Sequence, residues 1–229
     1  MQIAIDGPAG AGKSSVAREI ARRLKIMCLD TGAMYRAITL KALNEKVDLN
    51  KGYKLAELAR SCNMEIKYHE KEGTLIFLDG EDVTEKIRSP QVNKNVSAVA
   101  KSPELRKELV SLQRRLAENS GGIVMEGRDI GTNVLINADF KFFLTASLEE
   151  RTKRRWLEMK AAGMEISFED LREEIAMRDR IDQERSEDPL KIAPDALIVD
   201  TTSYTLEEVV DNLLEVIRNG KIEIKGQRR

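Results

Sequence analysis

The sequence predicts an α/β fold: a five-stranded parallel sheet with helices on both faces, carrying a small antiparallel β insertion and a helical segment. Three observations carry this. Short apolar runs alternate with amphipathic stretches at helical spacing, the pattern of buried parallel strands joined by crossover helices. The first run leads into a glycine-rich loop that itself leads into a helix. Between residues 63 and 88 the rhythm changes to short alternating runs broken by turn residues.

Ile3, Ala4 and Ile5 form the first strand, and Gly7 to Ser14 fits the phosphate-loop pattern G-x-x-x-x-G-K-[ST]. Gly7, Gly10 and Gly12 let the backbone turn tightly and present its N–H groups to a polyphosphate. From Lys13 onward Val16, Ile20 and Leu24 recur at helical spacing, so the loop ends on a helix N-terminus, which favours anions. Lys13 is placed to reach the outer phosphates and the Ser14 hydroxyl to ligate a magnesium ion held by them. The ligand this predicts is a nucleoside triphosphate.

Met27, Cys28 and Leu29 make the second strand, closed by Asp30-Thr31-Gly32. A helix then carries Met34, Ala37, Ile38 and Ala42, with Tyr35 and Arg36 in its first turn near the strand's carboxyl end. Ligands of open α/β sheets bind at that end. Leu55, Leu58, Ala59 and Cys62 mark a short helix. Met64 to Tyr68 alternates, Lys71-Glu72-Gly73 reads as a turn and Thr74 to Leu78 as a strand. His69, the only histidine, is expected on the exposed hairpin.

Pro90 opens a helix with Val92, Val96 and Val99 inward, and Ser102-Pro103 is an N-cap followed by a first-turn proline. Leu105, Leu109, Leu112 and Leu116 stripe the next helix, which ends at Asn119-Ser120-Gly121-Gly122. Ile123-Val124-Met125 is the third strand, running into Glu126-Gly127-Arg128-Asp129; Phe140–Thr145 is the fourth and Ala196–Val199 the fifth. The last helix uses Leu206, Val209, Val210, Leu213 and Ile217 and stops at Gly220; the tail KIEIKGQRR is expected to fray.

Between the fourth and fifth strands Ser147 and Ser167 are N-caps for two helices separated by Gly163. In the second, Phe168, Leu171 and Ile175 form an apolar stripe, continued by Arg178, Asp182 and Arg185. Two readings fit this spacing: a solvated face of Arg–Asp pairs, or a helix leaving the core for a polar cleft.

With 229 residues the chain can bury a substantial core. The charged fraction is 34%, yet the net charge is −1, which argues against a general nucleic-acid or membrane-surface binder. Any strongly positive site must therefore be a local gathering of arginines. Cys28 and Cys62 lack C-x-x-C spacing and read as small core residues in a reducing compartment. The loop begins almost at the initiator and no apolar run approaches ~20 residues, so a soluble, cytoplasmic protein is expected. A monomer without nucleic-acid or membrane partners is expected as well.

GPAGAGKSS, LDTGAMYRA, GEDVTEKIRSPQV, EGRDIGT and the R-D-x-x-D-x-x-R run from Arg178 to Arg185 occur in the order found in bacterial cytidylate kinases. The chain resembles that family over nearly its whole length. The resemblance implies a P-loop nucleoside-monophosphate kinase fold and transfer of the γ-phosphoryl of ATP, with Mg2+, to CMP or dCMP. It also implies a core (1–62, 88–147 and 186–229), a monophosphate-binding insertion (63–88) and a helical lid (147–185). The loop Gly7, Pro8, Ala9, Gly10, Ala11, Gly12, Lys13, Ser14 and Ser15 would wrap ATP. Arg36, Arg128 and Arg185 would hold the acceptor's phosphate, and Arg178 and Asp182 would meet its ribose. Ser97, Arg106 and Asp129 would read cytosine, with Thr31 and Tyr35 lining the same pocket. Lys13, Arg128, Arg178 and Arg185 would be catalytic, because phosphoryl transfer rests on positioning and charge stabilisation. Ser14 and Glu126 would hold the metal, although Asp is the commoner acid there, and Arg151, Arg154 and Arg155 are lid candidates.

Other functions leave different marks. A GTPase switch would carry N-K-x-D, but Asn93-Lys94 is followed by Asn95-Val96. RNA binding through the basic lid would need an aromatic platform, and Trp156 alone does not make one.

Overall fold

The computed structural model describes residues 1–69, 73–161 and 163–220; the expected turn at Lys71-Glu72 and the tail from Lys221 lie outside them. Five strands, β1 (Gln2–Asp6), β2 (Met27–Asp30), β6 (Ile123–Gly127), β7 (Phe140–Thr145) and β8 (Leu197–Asp200), form a parallel sheet in the order β2-β6-β1-β7-β8. A separate antiparallel sheet joins β3 (Met64–His69), β4 (Gly73–Leu78) and β5 (Glu81–Asp82).

Alternation along the central strands assigns the two faces. Ile3 and Ile5 of β1 and Val124 of β6 pack with α1 (Lys13–Leu24) and α8 (Leu206–Asn219). Ala4, Ile123 and Met125 point the other way, toward α2 (Thr31–Asn44), α3 (Gly52–Ser61), α4 (Pro90–Val99) and α5 (Pro103–Glu118). A third core seats β4 against α2 through Ile76, Leu78, Ala33 and Ala37, so the small sheet rides on the helix that carries Tyr35 and Arg36. The remaining helices, α6 (Leu148–Ala161) and α7 (Phe168–Glu184), pack on each other between β7 and β8.

Helix starts follow local chemistry. Ser102, Ser167 and Thr205 each accept the N–H three residues on, contacts worth ~1 kcal/mol apiece. Asp30 caps α2 through the Ala33 N–H, so the helix starts at Thr31, earlier than its sequence suggests, and Tyr35 and Arg36 fall in its second turn. Among the described residues no helix is long and apolar enough to cross a membrane. Cys28 is buried and Cys62 half-buried, and both are free.

Candidate active site

The carboxyl ends of β1, β2 and β6 open into one cavity of about 720 Å3, roofed by α6 and α7. The phosphate loop forms its floor. Gly7 has φ +147°, and a Cβ there would lie 2.0 Å from the Leu144 carbonyl oxygen, so only glycine lets the loop pass β7. Gly12, at φ +87°, turns the chain into α1.

Lys13 is buried and donates to the Pro8 carbonyl at 2.8 Å. Burial and the like charge of Arg128 pull its ammonium down to about pKa 7, against the opposing pull of Glu126. Ser14 Oγ donates to Glu126 Oε1 at 2.7 Å. Parallel pairing sets Asp30 opposite Glu126. Burial and this second carboxylate push the Glu126 acid upward. Burial also acts to raise Asp30, but Arg36, Arg88, the Ala33 N–H and a hydrogen bond with Glu126 together outweigh it and the net shift is downward.

Three aspartates around the cavity are paired with arginine. Arg36 donates to Asp30 at 2.6 Å and Arg128 to Asp182 at 2.6 Å. Asp129 accepts from Arg106 at 2.5 Å and from Arg185 at 3.0 Å, while Arg185 also bonds the Asp188 carbonyl. The Arg106 guanidinium lies 5.6 Å from the Tyr35 ring centre. Arg36 Nε and Arg178 Nε are buried donors without a hydrogen-bond partner among the described residues. Burial and neighbouring Arg128 draw Arg178 down to about pKa 10. Gathering Lys13, Arg128 and Arg178 in this way costs stability in the free protein, and an anion between them removes the cost.

The cavity brings together Ala9 to Ser15, Thr31, Tyr35, Arg36, Ser97, Arg106, Glu126, Arg128, Asp129, Arg178, Asp182 and Arg185. Gly7 and Pro8 do not line it; they stand behind the loop. The α7 stripe runs from Leu171 and Ile175 through Arg178 and Asp182 to Arg185 along this wall, so the helix enters a polar cleft. Arg151, grouped with the lid arginines in the sequence, does not line the cavity. It is buried, donates to the Ala9 carbonyl at 2.9 Å and to Asp179 at 2.5 Å, and so packs behind the loop. Arg154 and Arg155 do face the cavity, although Arg154 is held by Thr201 and Glu150. Sequence reasoning passed over Asp30, Arg18 and Arg88, which also line it. Asp30 left a sequence signal as an acid at a strand's carboxyl end, and Arg88 stands within the motif GEDVTEKIRSPQV, whereas Arg18 left none.

The sequence model of the cytidylate kinase family, described as "Cytidylate kinase", matches residues 3–219. This chain belongs to the cytidylate kinase family. A cytidylate kinase of Geobacillus sp. (strain WCH70) is 54% identical over 217 residues, covering 95% of this chain and 96% of that one. One from Bacillus subtilis (strain 168) is 50% identical over 217 residues, with the same coverage. Among solved structures, a shikimate kinase from Bacteroides thetaiotaomicron superposes with a TM-score of 0.50 at 12% identity, over 95% of this chain and 98% of its own. That likeness concerns the fold alone. Membership in the cytidylate kinase family gives the chain its class of chemistry, a nucleotide kinase's phosphotransfer.

The pairing of Ser14 with Glu126 bears on the metal. A hydroxyl and a carboxylate are hard oxygen donors, suited to magnesium, which keeps waters and phosphate oxygens in its shell rather than an all-protein cage. Among the described residues no group of three or more His, Cys, Asp or Glu could hold a metal ion.

Proposed function

We propose that this chain transfers the γ-phosphoryl group of ATP to CMP or dCMP, giving ADP and CDP or dCDP. The supporting observation is a single cavity in which Lys13 and the phosphate loop face Arg36, Arg128 and Arg178, two of these arginines having buried donors to spare. ATP phosphates lie along the N–H groups of the loop and the N-terminus of α1. Ser14 and Glu126 would hold the magnesium ion that accompanies them, which would neutralise phosphate charge.

Arg36, Arg128 and Arg185 hold the acceptor phosphate in planar, forked contacts that a point charge cannot match. Arg178 and Asp182 orient the ribose. Lys13, Arg128, Arg178 and Arg185 stabilise charge on the transferred group without any covalent intermediate. Asp129, anchored by Arg106 and Arg185, keeps lone pairs to accept from the cytosine amino group, with Ser97, Thr31 and Tyr35 around the base. Uracil presents a carbonyl at that position and leaves the carboxylate unanswered, a cost of ~1–3 kcal/mol.

We divide the chain into a core (1–62, 88–147 and 186–229), a monophosphate-gripping insertion (63–88) and a lid (147–185) that close over both nucleotides and keep water from the γ-phosphate. The acting unit is proposed to be the monomer. Incubation with Mg-ATP and each nucleoside monophosphate, followed by identification of the diphosphate, tests the assignment. CDP and dCDP are the expected products; equal or faster conversion of UMP or AMP, or ATP hydrolysis without acceptor at a comparable rate, would overturn it.

A further inference from the structure

We infer that Asp6 is a positioning residue for the acceptor side of the site: it fixes the turn that aims Arg128 and Asp129, although in sequence it directly precedes the donor loop. The inference rests on the proposed kinase reading for its substrates, but its geometry does not.

Asp6 ends β1 opposite Gly127, the last residue of β6, and its side chain is only 4% exposed. Each carboxylate oxygen takes its own backbone donor. Oδ1 accepts the Ile130 N–H at 2.8 Å and Oδ2 the Gly131 N–H at 2.7 Å. These two residues open the short turn Ile130–Val134, whose other end is tied by the Asp129 carbonyl accepting from Asn133 and Val134 at 2.9 and 3.2 Å. The turn has little room to slide: a Cβ on Gly131 would sit 3.2 Å from Lys141 Cδ and 3.4 Å from Asp6 Oδ2.

Arg128 and Asp129 are thus the two residues between a strand partner of β1 and a turn pinned by the Asp6 side chain. Their side chains leave this short span to meet Asp182 on one side and Arg106 and Arg185 on the other. The donor loop has separate supports, Lys13 on Pro8 and Arg151 on Ala9. Two successive buried N–H groups, each on its own oxygen, suit a carboxylate with two acceptor oxygens. Asparagine would turn an NH2 toward one of them and leave a buried donor unmatched.

The test is Asp6→Asn, with kcat and both Michaelis constants measured beside wild type, and Asp6→Glu as a second variant that keeps the charge but displaces both oxygens. Each is expected to raise the KM for CMP about tenfold or more while leaving that for ATP within about twofold. In the Asp129→Asn background the same change should add less, because both act through one contact. Hydrogen exchange supplies a readout without substrate: the Ile130 and Gly131 amides should exchange slowly in wild type and at least about tenfold faster in Asp6→Asn. Unchanged amide protection in Asp6→Asn, an ATP KM that rises as much as that for CMP, or additive effects with Asp129→Asn would overturn the inference. Wild type failing to phosphorylate CMP would instead overturn the kinase reading, and the exchange measurement would still decide the anchoring.

Discussion

Ser14 Oγ and Glu126 Oε1 lie 2.7 Å apart, joining the first turn of α1 to the carboxyl end of β6 across 112 positions of sequence. Hydroxyl and carboxylate share one hydrogen bond here, and both are proposed to turn to magnesium when the nucleotide brings it. Glu126→Gln keeps the volume and one acceptor but removes the charge. The magnesium concentration for half-maximal activity should rise about tenfold, and calorimetric binding of Mg-ATP should weaken while metal-free ATP binds as before. Equal weakening of both would show that Glu126 serves the loop rather than the ion.

Lys13 is buried beside Arg128, and its ammonium is drawn down to about pKa 7. A polyphosphate beside it raises that value toward or above the ordinary lysine range. Between pH 7 and about 10 the free site is therefore deprotonated and the loaded site protonated, so binding takes up to one proton and weakens as pH rises. Calorimetry of ATP binding at pH 8 in buffers of different ionisation enthalpy should report uptake. Lys13→Ala should lower kcat by ~100- to 1,000-fold with the fold intact. Proton release at pH 8 would contradict the arrangement.

Arg106 and Arg185 grip Asp129 from two sides, and that geometry is proposed to select cytosine. Asp129→Asn should narrow the ratio of kcat/KM for CMP over UMP by about tenfold, mainly through loss of CMP binding. A ratio that stays fixed while both substrates slow would place base recognition elsewhere.

Arg151 and Arg155 lie four positions apart on α6 and should behave oppositely. Arg151 holds Asp179 and the Ala9 carbonyl in a buried cluster, so Arg151→Met leaves a buried carboxylate without its cation and should cost ~3–5 kcal/mol in urea unfolding. Arg155 is 43% exposed and paired with Glu158, so Arg155→Ala should cost less than ~1 kcal/mol. Its effect, if Arg155 reaches the donor nucleotide, appears in the KM for ATP.

The strands, the loop and most helix starts could be read from the sequence because their causes are local. Ile3, Ala4 and Ile5 state a buried strand by themselves, Ser102-Pro103 states a helix start, and Gly7 to Ser14 states a phosphate loop wherever it stands. The charged continuation of the Leu171 and Ile175 stripe was ambiguous, since Arg178, Asp182 and Arg185 at helical spacing fit water as well as a cleft. What decided it was the placement of α7 over the ends of β1 and β6, a relation between segments far apart in the chain. Tertiary structure alone separated the buried Arg151 from the cavity-facing Arg155, put Asp30 beside Glu126, and turned Asp6 toward Ile130 and Gly131. The physical reason is that a helix or a turn forms from neighbours in the chain. The partner of a buried charge, by contrast, is chosen by whichever strand order brings two distant backbones together.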